Sequence, residues 1–254
     1  MKFNKEYFNY WKNRVNNSVD GTGIPSELVF KSFIEKTKLA KNSVCLDLGC
    51  GFGRFFPFLS EISNNIHGAD ISQSMLDDAK LNHNYKSLNK CDSKKTLFHN
   101  NFFDFVFCAG LFDVIDQEET LIEINRILKK KGKVIFTGKN INYSEEDNLA
   151  LRAEKNCHLK DFRLSFTDIE LLIKKLSTYG FRLSLKSYFK KRGDFANNIS
   201  AVSTDNFYEY LVLFEKTTDF AGDIPFKFSH HQSKTINKLF NHSKFLSFEE
   251  FCKS

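Results

Sequence analysis

The chain has 254 residues, of which 41% are hydrophobic, and a formal net charge of +6. Such a length and composition can bury a full core in one large domain, or in one domain with an appendage. No apolar run approaches the roughly 20 residues that span a bilayer, and the amino terminus lacks the apolar core of a signal peptide, so we expect a cytoplasmic protein without a membrane segment. The positive charge is modest and spread along the chain, which permits nucleic acid as a partner without favouring it.

The cysteines indicate a reducing compartment and no metal site. None of the six belongs to a Cys-x-x-Cys pair, and Cys45 and Cys108 lie in apolar runs where a thiol behaves as a small hydrophobic group. His230 and His231 are adjacent and so point different ways in either regular element, which argues against a metal-binding pair there.

Residues 1–40 predict a helical cap in front of the main domain. Between residues 5 and 15, apolar side chains recur at helical spacing: Tyr7, Phe8, Trp11 and Val15. A second helix is predicted from a Ser26 cap to about Lys38. The first helix either packs on the sheet or forms a flap over a ligand.

A glycine-rich turn after an apolar run is the most informative stretch of the chain. Residues 44–48 are typical of a strand buried on both faces, and glycines follow at positions 49, 51 and 53. Alternate glycines allow backbone conformations closed to other residues and let a flat or charged ligand touch the main chain. A helix predicted from Arg54 to Ser60 would direct its free amides at that ligand. Phe56 replaces the third glycine of the dinucleotide fingerprint, which argues against NAD.

The stretch Asp47-Leu-Gly-Cys-Gly-Phe-Gly53 closely resembles motif I of the class I S-adenosylmethionine-dependent methyltransferases. The resemblance implies an α/β fold, a seven-stranded and mostly parallel sheet with helices on both faces and an antiparallel last strand. It also implies S-adenosylmethionine as cofactor and S-adenosylhomocysteine as product. The residues that it assigns to the cofactor in this region are Asp47, Gly49, Cys50, Gly51 and Arg54. Many small members carry a similar Tyr and Trp-x-x-Arg segment, which would place Trp11 and Arg14 on the cofactor if the first helix is a flap.

Residues 65–70 predict a second strand that ends in Asp70, about twenty residues beyond the first glycines. An ionised carboxylate can accept from two neighbouring ribose hydroxyls at once. The resemblance implies this role for Asp70, and packing on the adenine for Ile71 and Met75. Alternatively, Asp70 caps the helix predicted over residues 72–80.

Residues 86–92 predict a third strand. The resemblance implies that Asp92 at its end accepts from the adenine amino group and that Ser93 binds the ring through its backbone amide. Asp92 is equally compatible with a simple turn residue.

Residues 102–110 predict the fourth strand, which resembles the phenylalanine-aspartate-plus-apolar run of the family and carries Cys108 into the predicted cofactor site. Asp113 stands where many relatives have a histidine. A carboxylate at this position could act as a general base, orient the acceptor or hold a cationic amine.

The next segments predict a helix, the fifth strand and a lid. Residues 118–130 predict an amphipathic helix ended by Gly132, and residues 133–137 the fifth strand. The alternation of strands and helices implies right-handed crossovers and a parallel sheet. Residues 139–165 are polar, lack a strand pattern and follow the carboxyl end of a strand, so we expect a lid over the acceptor.

The lid supplies most of the candidate acceptor and catalytic residues. Lys139, Tyr143 and Arg152 are the acceptor-binding candidates, and Tyr143 and His158 are alternatives to Asp113 as base. Taken alone, His158 fits a surface histidine better than a catalytic one.

The last third of the chain completes the predicted sheet. A helix capped by Thr167 and ending near Gly180 is followed by strands over residues 181–188 and 207–214. The loop between these strands contains Lys190, Lys191 and Arg192, and Arg192 is a candidate for an anionic group on the acceptor; a solvated hairpin tip is equally compatible. Residues 41–216 thus form the core, and residues 217–254 form a C-terminal extension that closes over the substrate or pairs subunits.

These patterns predict a methyltransferase that acts on a small, anionic acceptor, as a monomer or homodimer. O-methylation of a phosphorylated or nucleotide-linked metabolite, such as a surface-polysaccharide precursor, is the leading hypothesis. The alternatives are N-methylation of a small amine, methylation of RNA or protein, and a scaffold without activity. The absence of an Asn/Asp-Pro-Pro-aromatic motif and of a Pro-Cys pair argues against base methylation.

Overall fold

The structure is a computed structural model that describes residues 24–194, 206–219 and 224–254. The helix predicted over residues 5–15, with Trp11 and Arg14, lies outside the described residues. The helices are α1 (Ile24–Glu35), α2 (Phe56–Ile62), α3 (Gln73–Asn82), α4 (Gln117–Ile127), α5 (Asn148–Leu159), α6 (Ile169–Leu176), α7 (Lys234–Asn241) and α8 (Phe248–Lys253). The strands are β1 (Val44–Leu48), β2 (Asn65–Asp70), β3 (Ser87–Lys90), β4 (Phe103–Cys108), β5 (Leu128–Asn140), β6 (Phe166–Thr167), β7 (Phe181–Phe189), β8 (Glu209–Lys216) and β9 (Ser229–His230).

The described strands form one sheet of nine. Seven of them lie in the order β3-β2-β1-β4-β5-β8-β7, and β8 is antiparallel to both of its neighbours while the others run parallel. This confirms the predicted α/β fold with an antiparallel last core strand. The two additional strands, β6 and β9, have two residues each and were not predicted.

Side chains of the central strands alternate between two apolar layers. Phe105 and Phe107 of β4 face α1 and α2, whereas Val106 and Cys108 face α4 and α6. All four are fully buried, as expected of a strand covered by helices on both sides. Helices therefore cover both faces of the sheet, and the carboxyl ends of its strands remain available for a functional site.

Strand β5 begins earlier than the sequence indicates. The predicted stop at Gly132 is wrong, because α4 ends at Ile127 and Leu128 already pairs with Phe103 of β4. The pairing resumes at Lys133 after a bulge in which Lys131 adopts a φ of 67°. A long-range hydrogen-bonded ladder here overrides the local glycine signal.

Two predicted helix caps are also wrong. Ser26 lies inside α1, which begins at Ile24. Thr167 belongs to β6, and the cap of α6 is Asp168, whose side chain accepts from the Leu171 amide. In both cases a short polar residue near the true helix start was selected on sequence alone, and the predicted start was off by three residues for α1 and by one residue for α6.

The lid, residues 139–165, contains a helix that the polar sequence did not predict, and it joins the C-terminal extension. Strand β6 of the main sheet pairs with β9 of the extension, and α8 packs against α5. Glu154 of α5, which is fully buried, accepts from the amide and hydroxyl of Ser233. In the described residues no helix has the length and apolar character needed to cross a bilayer.

Candidate functional site

The glycine turn after β1 opens onto the carboxyl edge of the sheet. Gly49, Gly51 and Gly53 have φ values of 74°, 53° and 88°, in the left-handed region that favours glycine. A Cβ at Gly49 would lie 2.8 Å from Leu111, and one at Gly53 would lie 2.3 Å from His83, so both positions are packed. A Cβ at Gly51 would meet no atom of the described residues within 4 Å, so within the described part of the chain this glycine faces open space. The turn is a cradle whose centre is free for a ligand.

Asp70 connects the end of β2 to the glycine turn. One carboxylate oxygen accepts from the Gly51 amide at 2.9 Å, and the other accepts from the Ser72 amide at 2.8 Å. Burial raises the pKa of Asp70, while hydrogen bonds from these amides act in the opposite direction. The cap of α3 is Ser72, whose hydroxyl accepts from Met75. The cap alternative for Asp70 is therefore wrong, and its carboxylate lies where a ligand on the turn would meet it.

Asp47 lies at the base of the same cradle. Its side chain is 2% exposed and accepts a hydrogen bond of 2.8 Å from the Tyr85 hydroxyl. Burial, together with the nearby charge of Asp70, raises the pKa of Asp47 to about 7. Two acids thus approach the cradle from neighbouring strands and can accept from a polar or cationic ligand.

The predicted adenine side is formed after β2 and β3. Ile71 is half-buried and Met75 is buried at the start of α3. Asp92 accepts from the Lys94 amide at 3.1 Å in a turn, and the Ser93 hydroxyl lies 3.0 Å from that of Thr120. The observed contact of Asp92 is thus that of a turn residue. Its carboxylate can still accept a hydrogen bond from a further donor.

Three further predicted cofactor residues differ in accessibility. Cys108 is fully buried and belongs to the apolar layer under α4, so its side chain packs in the core and does not face the cradle. Burial also raises the pKa of the Cys50 thiol well above its usual range. The Arg54 guanidinium lies 5.1 Å from the Phe55 ring centroid, beside the start of α2. The Cys50 amide donates to the Ala69 carbonyl at 3.1 Å, so of the three residues Arg54 is the one whose side chain lies beside the turn without being enclosed in the core.

Lys139 and Asp113, which the sequence analysis assigned to the acceptor, lie together at the carboxyl ends of β5 and β4. Their side chains form an ion pair and are 14% and 13% exposed. Lys139 is directly opposite Glu209 of β8 in the sheet, so these two side chains share one face. The structure therefore brings together a predicted acceptor-binding residue and the predicted base.

Arg192 lies close to this pair. Its guanidinium donates to the Tyr208 hydroxyl at 2.9 Å, and its amide donates to Asp147 at 2.7 Å. Lys139 and Arg192 both act electrostatically on the carboxyl of the half-buried Glu209, whose pKa is raised mainly by burial. The cations of this region are thus matched by carboxylates, unlike the open basic loop that the sequence indicated.

Three other predicted residues of the lid lie elsewhere. The Tyr143 hydroxyl is buried and donates to Glu154 at 2.7 Å. His158 packs edge-on against Phe248 of α8, with ring centroids 5.1 Å apart, and Arg152 is exposed on α5. We therefore do not retain Tyr143 or His158 as candidate bases, because one is enclosed in the hydrogen-bond network that joins the lid to the extension and the other packs on that extension.

Sequence reasoning missed three residues of the site. Neither Tyr85 nor Glu209 belongs to a motif. The partner of Tyr85, Asp47, lies 38 residues away in the chain, and Glu209 is opposite Lys139 on another strand. Gly110 was noted only as the end of a strand, yet it has a φ of 67°, is exposed and donates to the Thr137 hydroxyl at 3.0 Å. A glycine directly after a buried strand was the one available signal.

The cradle and its acids fit S-adenosylmethionine. Its centre at Gly51 is open, the Asp70 carboxylate can accept from hydroxyls, and the Asp47 carboxyl can accept from an ammonium group. Such a ligand carries two cationic groups, a sulfonium and an ammonium, and the two acids oppose that charge. Among the described residues, no group of His, Cys, Asp and Glu side chains could hold a metal ion.

Comparison with known proteins gives a family for the central part of the chain. Residues 46–136 match the model of a methyltransferase domain. A ubiquinone biosynthesis O-methyltransferase of Hydrogenovibrio crunogenus is 27% identical over 44% of this chain and 48% of its own length. A demethylmenaquinone methyltransferase of Lactobacillus johnsonii is 34% identical over 41% of this chain and 47% of its own length. An uncharacterized protein of Methanocaldococcus jannaschii is 36% identical over 43% of this chain and 48% of its own length.

The chain therefore spans about half the length of the curated relatives that it matches.

Solved structures show a similar fold over a larger part of the chain. The partner of the Trm112 methyltransferase activator in a complex from Haloferax volcanii has a TM-score of 0.62 and 16% identity, over 86% of this chain and 99% of that one. An S-adenosylmethionine-dependent methyltransferase from Mesorhizobium loti has a TM-score of 0.56 and 14% identity, over 73% and 96%.

Proposed function

We propose that the chain is a class I S-adenosylmethionine-dependent methyltransferase that transfers a methyl group from S-adenosylmethionine to an oxygen atom of a small acceptor, and the match of residues 46–136 to a methyltransferase domain supports this. The observation that carries this proposal is the open glycine cradle tied to Asp70 at the carboxyl edge of the sheet. When bound, the cofactor supplies an electrophilic methyl group on a sulfonium. The chain has to align the acceptor oxygen with that carbon, which is where most of the rate enhancement of such a displacement arises.

The residues that we assign to the cofactor lie at the ends of neighbouring strands, and each is assigned a different part of the ligand. Asp70 accepts from the ribose hydroxyls, and Asp47 accepts from the ammonium group of the amino-acid portion. Ile71 and Met75 supply an apolar surface for the adenine. We assign recognition of the adenine edge to Asp92 and to the amide of Ser93.

Asp113 and Lys139 are the residues we assign to the acceptor. As the oxygen lone pair forms a bond to the methyl carbon, the carbon–sulfur bond breaks and the hydroxyl proton must leave. Asp113 is the base candidate that remains at the mouth of the site, and Lys139 beside it can donate a hydrogen bond to the acceptor oxygen. Closure of the site by the lid would exclude water during the transfer.

For the acceptor we propose a metabolite with an anionic group, of the phosphorylated or nucleotide-linked kind found in surface-polysaccharide synthesis. The support is the pair of cations near the mouth, Lys139 and Arg192, one of which offers bidentate donors. The names of two relatives favour a second candidate, a quinone-type acceptor. A neutral acceptor would leave the Lys139–Asp113 ion pair and the cations near Glu209 undisturbed, which is compatible with that second candidate.

Two measurements test the proposal in sequence. Calorimetry with S-adenosylmethionine should give binding, and its absence would end the proposal. Incubation with a radiolabelled methyl donor should then transfer label to the small-metabolite fraction or the lipid-extractable fraction, which distinguishes the two acceptor classes. Label confined to RNA or protein would contradict a small acceptor, and label stable to conditions that cleave methyl esters and ethers would indicate an amine.

A further inference from the structure

Tyr85 lies in the loop between α3 and β3 and is fixed in place beside the cofactor cradle. Its ring packs on Phe56 at the start of α2, with centroids 4.5 Å apart, and a Cβ at Gly68 of β2 would lie 3.1 Å from it. The hydroxyl donates to Asp47 at 2.8 Å. Contacts on both sides of the ring determine where this hydroxyl points, and it points at the buried acid of motif I.

The two acids of the cradle are held in different ways. Asp70 accepts from the backbone amides of Gly51 and Ser72, which favour its charged form. Asp47 has the Tyr85 hydroxyl as its side-chain hydrogen-bond partner among the described residues. A buried carboxylate with one donor is poorly compensated, and a second carboxylate nearby makes its ionisation still less favourable.

The groups that face Asp47 come from every element around it. Besides Tyr85, they are Asp70 at the end of β2 and the Cys50 thiol of the glycine turn, while the Cys108 thiol of β4 acts from the opposite face of the sheet. Burial raises the pKa of both thiols, so they stay neutral. No lysine or arginine in the described part of the chain belongs to this set. Among the described residues, Asp47 in the ligand-free cradle therefore has no neighbouring cation to stabilise its charge.

We propose that Tyr85 is a positioning residue for the cofactor: its hydroxyl fixes the orientation of the buried Asp47 carboxyl, which is protonated in the empty cradle, and binding of the cationic cofactor releases that proton to solvent. The inference rests on the proposed function, because it concerns the same socket. Only the acidic O–H bond of Asp47 breaks, and the Tyr85 hydroxyl remains a donor throughout. The ammonium group of the ligand then provides the opposite charge that the carboxylate lacks.

The sign of the pH dependence follows from linkage. Burial raises the pKa of Asp47 to about 7, and a cation beside it lowers that pKa, so binding releases a proton below neutral pH. Affinity should then fall by up to about tenfold for each pH unit below 7 and become constant above it. Burial also raises the pKa of Tyr85, which keeps its hydroxyl protonated over this range.

Titration calorimetry with S-adenosylmethionine in two buffers of different ionisation enthalpy measures the released protons directly. Wild-type protein should release about one proton at slightly acidic pH. Asp47→Asn should release none and should lose the pH dependence while keeping the packing of the Tyr85 ring. Tyr85→Phe should weaken binding about tenfold at neutral pH and shift the pH dependence upward, because the lost donor raises the pKa of Asp47 further.

Tyr188→Phe is the matched control. The Tyr188 hydroxyl donates to Glu170 at 2.6 Å, so this variant loses the same kind of tyrosine–carboxylate bond at a place away from the cradle. It should lower the melting temperature without changing affinity or proton release. Wild-type proton release and pH dependence in Tyr85→Phe would overturn the inference, and so would proton release in Asp47→Asn equal to that of the wild type. Failure of the wild type to bind S-adenosylmethionine would instead overturn the proposed function.

Discussion

Asp70 and Gly51 lie 19 residues apart in the chain, yet the Asp70 carboxylate accepts a hydrogen bond from the Gly51 amide at 2.9 Å. This bond connects the acid of β2 to the one glycine of the turn that faces open space. The part of the site proposed for the ribose and the part proposed for the amino-acid portion are therefore in direct contact. Changes at either residue should affect the same ligand.

Replacing Asp70 with alanine should weaken binding of S-adenosylmethionine by about 1–3 kcal/mol, because hydrogen bonds to a charged acceptor are lost. Calorimetry measures the effect. Asp77→Ala, which removes an exposed acid from the neighbouring helix α3, is the control and should bind as the wild type does. Unchanged affinity in Asp70→Ala would contradict the assignment of the ribose to this residue.

Gly51→Val should abolish cofactor binding while the protein stays folded. The new side chain would enter the open centre of the cradle, and the positive φ adds a strain of about 1–2 kcal/mol. Gly53→Ala should instead lower the melting temperature more strongly, since its Cβ would lie 2.3 Å from His83. Binding and thermal unfolding measured on both variants separate the two roles, and normal affinity in Gly51→Val would exclude the cradle as the socket.

A double-mutant cycle on Lys139 and Asp113 should give a coupling energy of about 1–3 kcal/mol in denaturant unfolding, because the paired side chains are largely shielded from solvent. Lys139→Ala should also raise the Michaelis constant of the acceptor more than the dissociation constant of the cofactor. Arg192→Ala should act in the same direction if the acceptor carries an anionic group. An equal effect on acceptor and cofactor would remove these residues from the acceptor side.

Tyr143→Phe should leave methyl transfer intact and lower stability by about 1 kcal/mol, since only the buried hydrogen bond to Glu154 is lost. Activity and chemical unfolding measured on the same preparation check both parts. A large fall in turnover number with unchanged stability would restore Tyr143 as a candidate base.

The raised pKa of Asp47, about 7, should make the ligand-free protein less stable as the pH rises. The folded state holds a proton that the unfolded chain releases near pH 4, so this contribution is complete below about pH 4 and is lost as the pH passes about 7. Asp47→Asn removes the dependence and should be more stable than the wild type at about pH 8, by on the order of 2–4 kcal/mol. Thermal unfolding across this range is the measurement, and identical pH profiles for the two proteins would contradict it.

Local patterns in the sequence predicted the elements around the cradle well. Strands β1 and β2 have the predicted bounds, since an apolar run ended by glycine or aspartate marks a buried parallel strand. The glycines at 49, 51 and 53 and the acid at 70 come together as the motif implied. The strands and the turn depend on residues that are adjacent in the chain, whereas Asp70 was identified by its spacing from the glycines.

What the sequence did not predict depends on distant partners. The early end of α4 is set by pairing of Leu128 with Phe103, and Gly132 carries no sign of it. The burial of Tyr143 follows from Glu154 and from Ser233, which lies 79 residues beyond Glu154. The role of Tyr85 requires a contact across 38 residues with Asp47. Hydrogen bonds across such separations have no periodicity that a reader of the sequence could detect.

Strand β5 carries partners on both edges at its carboxyl end, where Lys139 faces Glu209 on one side and pairs with Phe166 on the other. The lid and the C-terminal extension, whose β9 pairs with β6, are consequently both anchored on the strand that carries Lys139. A shift of β5 would therefore move Lys139 and both of these segments together.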